Sequence, residues 1–292
     1  MGLEILRTVR DVRRVLDAHR SGSTIGLVPT MGALHEGHVA LFREARRECH
    51  IVVASLFVNP TQFNEAKDLA AYPRDEQHDA RMAQEAGVDY LFAPSDVEMY
   101  PSGYATWVDV EGPARGLEGD VRPGHFRGVA TVCLKLFTIV RPHVAYFGQK
   151  DAQQIAVVKR MVRDLNLNLE IRIVPTIRDE DGLALSSRNV RLSAAERERA
   201  LAIVRALEAG LAAHRAGRDP VAAARAALRD VETEYVAVAD FDGQPTLAIA
   251  ARVGHTRLID NIPLDSGSVL HTRQLERRSS FALSEPAKGE RG

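Results

Sequence analysis

The chain has 292 residues, 45% of them apolar and 26% charged, with a formal net charge of −1. That length suggests two domains with a core of ordinary size. The balanced charge excludes a nucleic-acid binder that works through a broad basic field, so any anion site has to be built locally from a few cations and backbone amides.

The N-terminus carries Arg7, Arg10, Asp11, Arg13 and Arg14 and lacks the apolar stretch of a secretory signal. The apolar run from Val129 to Val140 is interrupted by Lys135 and is too short to cross a bilayer. The two cysteines, Cys49 and Cys133, have neither zinc nor redox spacing and imply no disulfide framework. The expectation is a soluble, cytoplasmic protein with neither a membrane nor a nucleic-acid partner.

Taken in chain order, Thr24–Val28, Ile51–Phe57, Asp89–Phe92, His143–Phe147 and Glu170–Val174 read as short buried strands. Helical stretches lie between them. Val39–Arg47 follows the first strand, and Arg74–Ala86 is stopped by Gly87 as a C-cap. Val129, Val132, Cys133, Leu136, Phe137 and Val140 share one helical face, as do Ile155, Val158, Met161, Val162 and Leu165. This alternation predicts an α/β fold, a parallel sheet covered on both faces, over residues 1–176. Beyond the Asp179–Gly182 turn the pattern changes. Ser193 and Glu196 form a capping box, Asp219-Pro220 opens a second helix, and Tyr235–Asp240, Thr246–Ala251 and Thr256–Ile259 read as strands. They predict a smaller C-terminal α+β domain over 177–278, then a polar tail, 279–292, read as disordered.

Ligands of parallel sheets bind beyond the carboxyl ends of the strands, and three of four chemical constellations fall there. Pro29–His38 (PTMGALHEGH) joins a strand to a helix start, where free amides and the dipole favour an anion and His35 and His38 add donors. Its His-Glu-Gly-His spacing is one residue short of a zinc-protease helix, and it lacks the Lys of a Walker loop. Gly148-Gln149-Lys150-Asp151 opens another helix, with Asp151 suited to the N-cap and Lys150 to a phosphate. Asn59-Pro60-Thr61-Gln62 ends a strand with two uncharged amides, suited to a small polar acid. The fourth, Gly182–Asn189, lies between the halves; its Ser186, Ser187 and Arg188 suit a mobile phosphate clamp. Each segment alone also reads as an ordinary polar turn.

Together with YPR (Tyr72–Arg74), LEG…RPGHFRGV (Leu117–Val129) and RLIDN (Arg257–Asn261), these motifs stand in the order of the pantothenate synthetase family, which the chain resembles from about Thr24 to Asn261. The resemblance implies a Rossmann-like nucleotide-binding domain, a smaller domain closing over it, and a homodimer. It implies ATP-dependent joining of pantoate to β-alanine through an acyl adenylate, with Mg²⁺ accompanying ATP. It carries ATP binding to Met31, Gly32, Ala33, Leu34, His35, Glu36, Gly37, His38, Gly148, Gln149, Lys150, Asp151, Ile177, Leu185, Ser186, Ser187 and Arg188. His38, with His35, Lys150 and the Ser186–Arg188 clamp, is implied in catalysis. Gln62 and Gln154, joined by Asn59 and Tyr72, fall to pantoate, and Asp79 to the metal. Thr61 and Gln149 depart from the commoner Met and Glu. Two rivals stand beside it: a nucleotidyltransferase that adenylates a phosphate, which shares the loop logic, and, from a different class, a nucleotide sensor without catalysis.

Overall fold

The computed structural model describes residues 2–64, 66–265, 267 and 270; the tail read as disordered lies outside them. In chain order, β1 (Glu4–Leu6), α1 (Val9–Asp17), β2 (Ile25–Thr30), α2 (Glu36–Glu48) and β3 (Ile51–Leu56) come first. They lead to α3 (Ala66–Ala70), α4 (Glu76–Glu85), β4 (Tyr90–Phe92), α5 (Asp96–Met99), α6 (Glu118–Val121) and α7 (His125–Val140). The large sheet ends with β5 (Val144–Gly148), α8 (Ala152–Asp164) and β6 (Glu170–Val174). The C-terminal part holds α9 (Ala194–Arg215), α10 (Pro220–Ala227), β7 (Glu232–Asp240), β8 (Pro245–Val253) and β9 (Thr256–Pro263).

The first sheet is six-stranded and parallel throughout, in the order β1-β4-β3-β2-β5-β6. Its four inner strands, β4, β3, β2 and β5, are buried on both faces because alternate side chains enter different cores, whereas the edge strands β1 and β6 are partly exposed. Ile25, Leu27 and Val53 pack with α1, α7 and α8, whereas Val28, Val52 and Ala54 pack with α2 and α4. The order in which strands are added reverses between β2 and β5, which run parallel and pair only at Gly26–Val144 and Leu27–Ala145. Beyond those pairs their carboxyl ends are free to part, and a crevice opens at this switch point.

Strand β1 and helix α1 are absent from the sequence reading. Three residues are too short to show a period, and the arginines of α1 mask an inner face of only Val12 and Leu16. The second sheet is three-stranded and antiparallel, β7-β8-β9. It is closed by α9 and α10 around Ile203, Leu207, Leu247 and Ile249.

Two polar joints, at Glu118 and at Asn261, hold this second unit against the first, and a buried ion pair ties the segment after β6 to β9. Arg257 of β9 donates to both oxygens of Glu118 on α6, at 2.6 and 2.8 Å, and the Tyr235 hydroxyl donates to the same carboxylate at 2.8 Å. Arg178 and Asp260, each 3% exposed, form a bidentate pair at 2.6 and 3.0 Å. Asn261 donates to the carbonyls of Gln149 and Lys150 at 3.1 and 2.8 Å. Buried ions are tolerated where every charge finds its partner, as here. Burial alone would raise the Glu118 carboxyl, but the Arg257 guanidinium holds it below the usual range.

Candidate active site

Helix α2 begins at Glu36, three residues before the start read from Val39, because caps override the glycine. His35 is the N-cap, and its Nδ1 accepts the Gly37 N–H at 3.1 Å. In return His38 Nδ1 accepts the His35 N–H at 3.2 Å, a capping box written in imidazoles. With both Nδ1 atoms accepting, each neutral ring carries its proton on Nε2. The ring centroids are 4.1 Å apart. Burial, then the Lys150 charge, lowers His35 to about 4; burial, then His35 and Lys150, lowers His38 to about 3. Near neutrality the pair therefore offers two N–H donors and no positive charge. A methyl group on Gly37 would come within 2.8 Å of His35 Cε1, so the ring's seat requires glycine there.

Across the switch point, residues 149–151 form a 3-10 turn entering α8. Asp151 occupies the N-cap position of that helix but accepts none of its amides, unlike the cap read from sequence. Lys150 shares the crevice with His35 and His38, its Nζ 3.9 Å from Asp151 Oδ1. Ile177, Leu185, Ser186, Ser187 and Arg188 line the same space. A small hairpin presents them: the Leu185 N–H donates to the Ile177 carbonyl at 2.9 Å, and Arg178 bridges Ala184. The segment read as a mobile phosphate clamp is packed in a defined turn, with Arg197 of α9 bound to Asp179 and Asp181. Thr176, unmarked by the sequence reading, adds a buried hydroxyl without a partner to this wall.

The other end of the crevice holds Asn59, Gln62, Tyr72 and Gln154, with Met31 between. Asn59 is saturated: its Nδ2 donates to Gln62 Oε1 at 3.0 Å and to the Gly128 carbonyl at 3.2 Å. Its Oδ1 accepts from the Thr61 and Tyr100 hydroxyls, both at 2.9 Å. Asn59, read from sequence as a substrate contact, lines the crevice and braces the Gln62 amide. Gln62 Nε2 meets only the weak acceptor Met31 Sδ, at 3.1 Å, and so keeps a donor for the crevice. Two residues that received no role from the sequence also stand here. Arg122 and His125 both engage the Gln62 carbonyl, at 3.2 and 2.9 Å, and touch each other at 3.1 Å. Burial, then Arg122, pushes His125 down to about 4, and burial pushes Arg122 down to about 10. Their signal was the RPGH stretch, which spacing alone could not assign.

Several residues implied in nucleotide contact stand behind the wall. Gly32, Ala33, Leu34, Glu36 and Gln149 do not line the crevice. Gly32 faces a neighbouring cavity together with Asp79. Asp79, implied at the metal, instead accepts the N–H groups of Ala33 and Leu34. Among the described residues no group of three or more His, Cys, Asp or Glu side chains could hold a metal ion. A divalent cation here would take most of its ligands from the substrate and water, as Mg²⁺ with nucleotides commonly does.

An imidazole pair and a lysine face one another across a switch point, with amides at one end. Known proteins share this architecture. A profile of the pantoate–β-alanine ligase family matches residues 4–263. The chain belongs to that family. Among its relatives, the pantothenate synthetase of Moorella thermoacetica is 51% identical, covering 90% of this chain and 99% of that protein. That of Syntrophotalea carbinolica is 48% identical, over 89% and 98% of the two. The crystal structure of pantothenate synthetase from Thermus thermophilus superposes with a TM-score of 0.84 at 47% identity, covering 89% and 99%. Pantoate–β-alanine ligase from Francisella tularensis, complexed with β,γ ATP and β-alanine, superposes at 0.79 with 34% identity, covering 91% and 99%. The ligase family thus spans both sheets of the chain.

Proposed function

We propose that the chain joins pantoate to β-alanine at the expense of ATP, through a pantoyl adenylate made in this crevice. One observation carries the reading: donors without charge, His35 and His38, face the cations Lys150 and Arg188 across one space. In the first step a pantoate carboxylate oxygen attacks the α-phosphorus of ATP and pyrophosphate leaves. Two anions must meet, so the site has to supply donors that strengthen as charge moves to the leaving group. His38 and His35 fill this role with Nε2–H, and Lys150, Ser186, Ser187 and Arg188 receive the pyrophosphate charge. Gln62 and Gln154 hold pantoate through uncharged amides, which orient the nucleophile without the salt bridge that would blunt it. Mg²⁺ bound with the nucleotide would shield its phosphates, taking its ligands chiefly from them and from water.

In the second step the neutral amine of β-alanine attacks the acyl carbon and AMP leaves, so no protein nucleophile is required. The hairpin at 177–188 shields the mixed anhydride from water. We place the boundary of the closing domain at residue 177, where the chain leaves β6 for this hairpin. The family resemblance further supports a cytoplasmic homodimer; sedimentation of the purified protein at twice the monomer mass is the expected result.

Exchange of labelled pyrophosphate into ATP tests the reaction. Exchange that requires pantoate, followed by pantothenate formation once β-alanine is added, is expected. Exchange with a phosphate ester in place of pantoate would transfer the assignment to a nucleotidyltransferase, and binding without exchange to a sensor.

A further inference from the structure

The carboxylate of Asp79 lies beneath the loop that carries β2 into α2, and the residue is 1% exposed. Its Oδ2 accepts the Ala33 N–H at 3.0 Å and its Oδ1 the Leu34 N–H at 2.8 Å. That loop turns tightly through two successive left-handed residues, Gly32 at φ 83° and Ala33 at φ 51°. The turn points the N–H groups of residues 33 and 34 at one carboxylate, a small concavity for an anion. A Cβ on Gly32 would lie 2.9 Å from Asp79 Oδ2 and 2.8 Å from Leu56 Cδ1, so loop, carboxylate and strand interlock. The position of Asp79 in the first turn of α4 adds the favourable end of a helix dipole to its negative charge.

We infer that Asp79 is a positioning residue: its carboxylate fills the amide nest of residues 33–34, fixes the loop that seats His35 and His38, and does not coordinate the nucleotide's metal. The inference rests on the ligase reading and deepens it. With the nest filled from within, Ala33 and Leu34 have no N–H to give a phosphate. Anion binding at this end then falls to the two imidazoles and Lys150. The left-handed Ala33 fits the same account, since an unbraced residue with a Cβ would leave that conformation.

The test begins with pantoate-dependent pyrophosphate exchange by the wild-type protein, whose failure would count against the ligase reading alone. Asp79→Asn keeps the volume but removes the charge and one acceptor. The expected result is a kcat for exchange lowered by about 10- to 100-fold, as for lost charge-assisted hydrogen bonds. The Mg²⁺ concentration for half-maximal rate should stay within about twofold of wild type, because no metal ligand has been removed. A Mg²⁺ requirement raised about tenfold or more would overturn the inference, and so would an unchanged kcat. A second measurement does not depend on the variant's folding: a crystal structure of the wild type with Mg²⁺ and a non-hydrolysable ATP analogue. Asp79 should remain bonded to the amides of residues 33 and 34; a metal–oxygen distance near about 2.1 Å would refute the assignment.

Discussion

The histidine end of the crevice is made by four consecutive residues, His35 to His38, whereas the glutamine end gathers Asn59, Gln62, Tyr100, Arg122, His125 and Gln154 from separate stretches. At the first end, each ring is held by the backbone of its own turn. At the second, a buried lattice of side chains aims one amide. The contrast separates two ways of placing a functional group. Local capping fixes a ring through bonds that the helix must satisfy anyway. A non-local network needs every member, and loses more than one contact when a member goes.

The largest expected effect belongs to the local end and the lysine that faces it. His38→Ala or Lys150→Ala should lower pantoate-dependent exchange by about 100- to 1000-fold, the usual loss for a transition-state donor. Near-normal turnover in either variant would remove that residue from the chemistry. At the other end, Gln62→Ala should raise the pantoate KM by about 10- to 100-fold and leave the ATP KM nearly unchanged; steady-state kinetics with each substrate varied would show it. Asn59→Ala removes the brace rather than the contact. It should destabilise the fold by about 1–3 kcal/mol, measured by urea unfolding, and weaken pantoate binding less than Gln62→Ala does. A larger effect on pantoate than that of Gln62→Ala would make Asn59 the contact and Gln62 its support.

The smallest effect is a pH dependence shared by both ends. Folding lowers His35 and His125 to about 4 and His38 to about 3, all beneath an unfolded value of 6.5. As pH falls from 6.5 the unfolded chain takes up protons that the folded one refuses, so stability is lost down to the folded values. Thermal melting between pH 4 and 7 should fall on the acid side, and His125→Gln should flatten that slope. A slope unchanged in His125→Gln would mean that this ring is accessible to protons in the folded state.

What could be read from the amino acids follows the same division. Five of the six strands of the first sheet, β2 to β6, are visible because buried parallel strands are short apolar runs, and α7 and α8 because each shows one apolar stripe. The capping exchange of His35 and His38 was nearly visible, hidden only by a glycine that normally argues against a helix. Asn59 was read as a contact, and its amide is already shared among neighbours, because a sequence shows an amide but not how many partners it has. Arg122 and His125 went without a role for the same reason: their common target is a backbone carbonyl, which no side-chain pattern encodes. Asp79 was matched to a metal by resemblance, and only the geometry of the loop above it shows where its oxygens point.

Asp260 and Asn261 are neighbours on β9, and the pair reaches in two directions at once. Asp260 grips Arg178 beside the hairpin, and Asn261 grips the carbonyls of the turn that carries Lys150. Cations on two different walls are thereby geared to one dipeptide. For protein engineering this sets a compatibility rule: a C-terminal module transplanted from a distant homologue would have to bring Asp-Asn in the same register. Without it, the chimera could fold in both halves and still present its cations out of step.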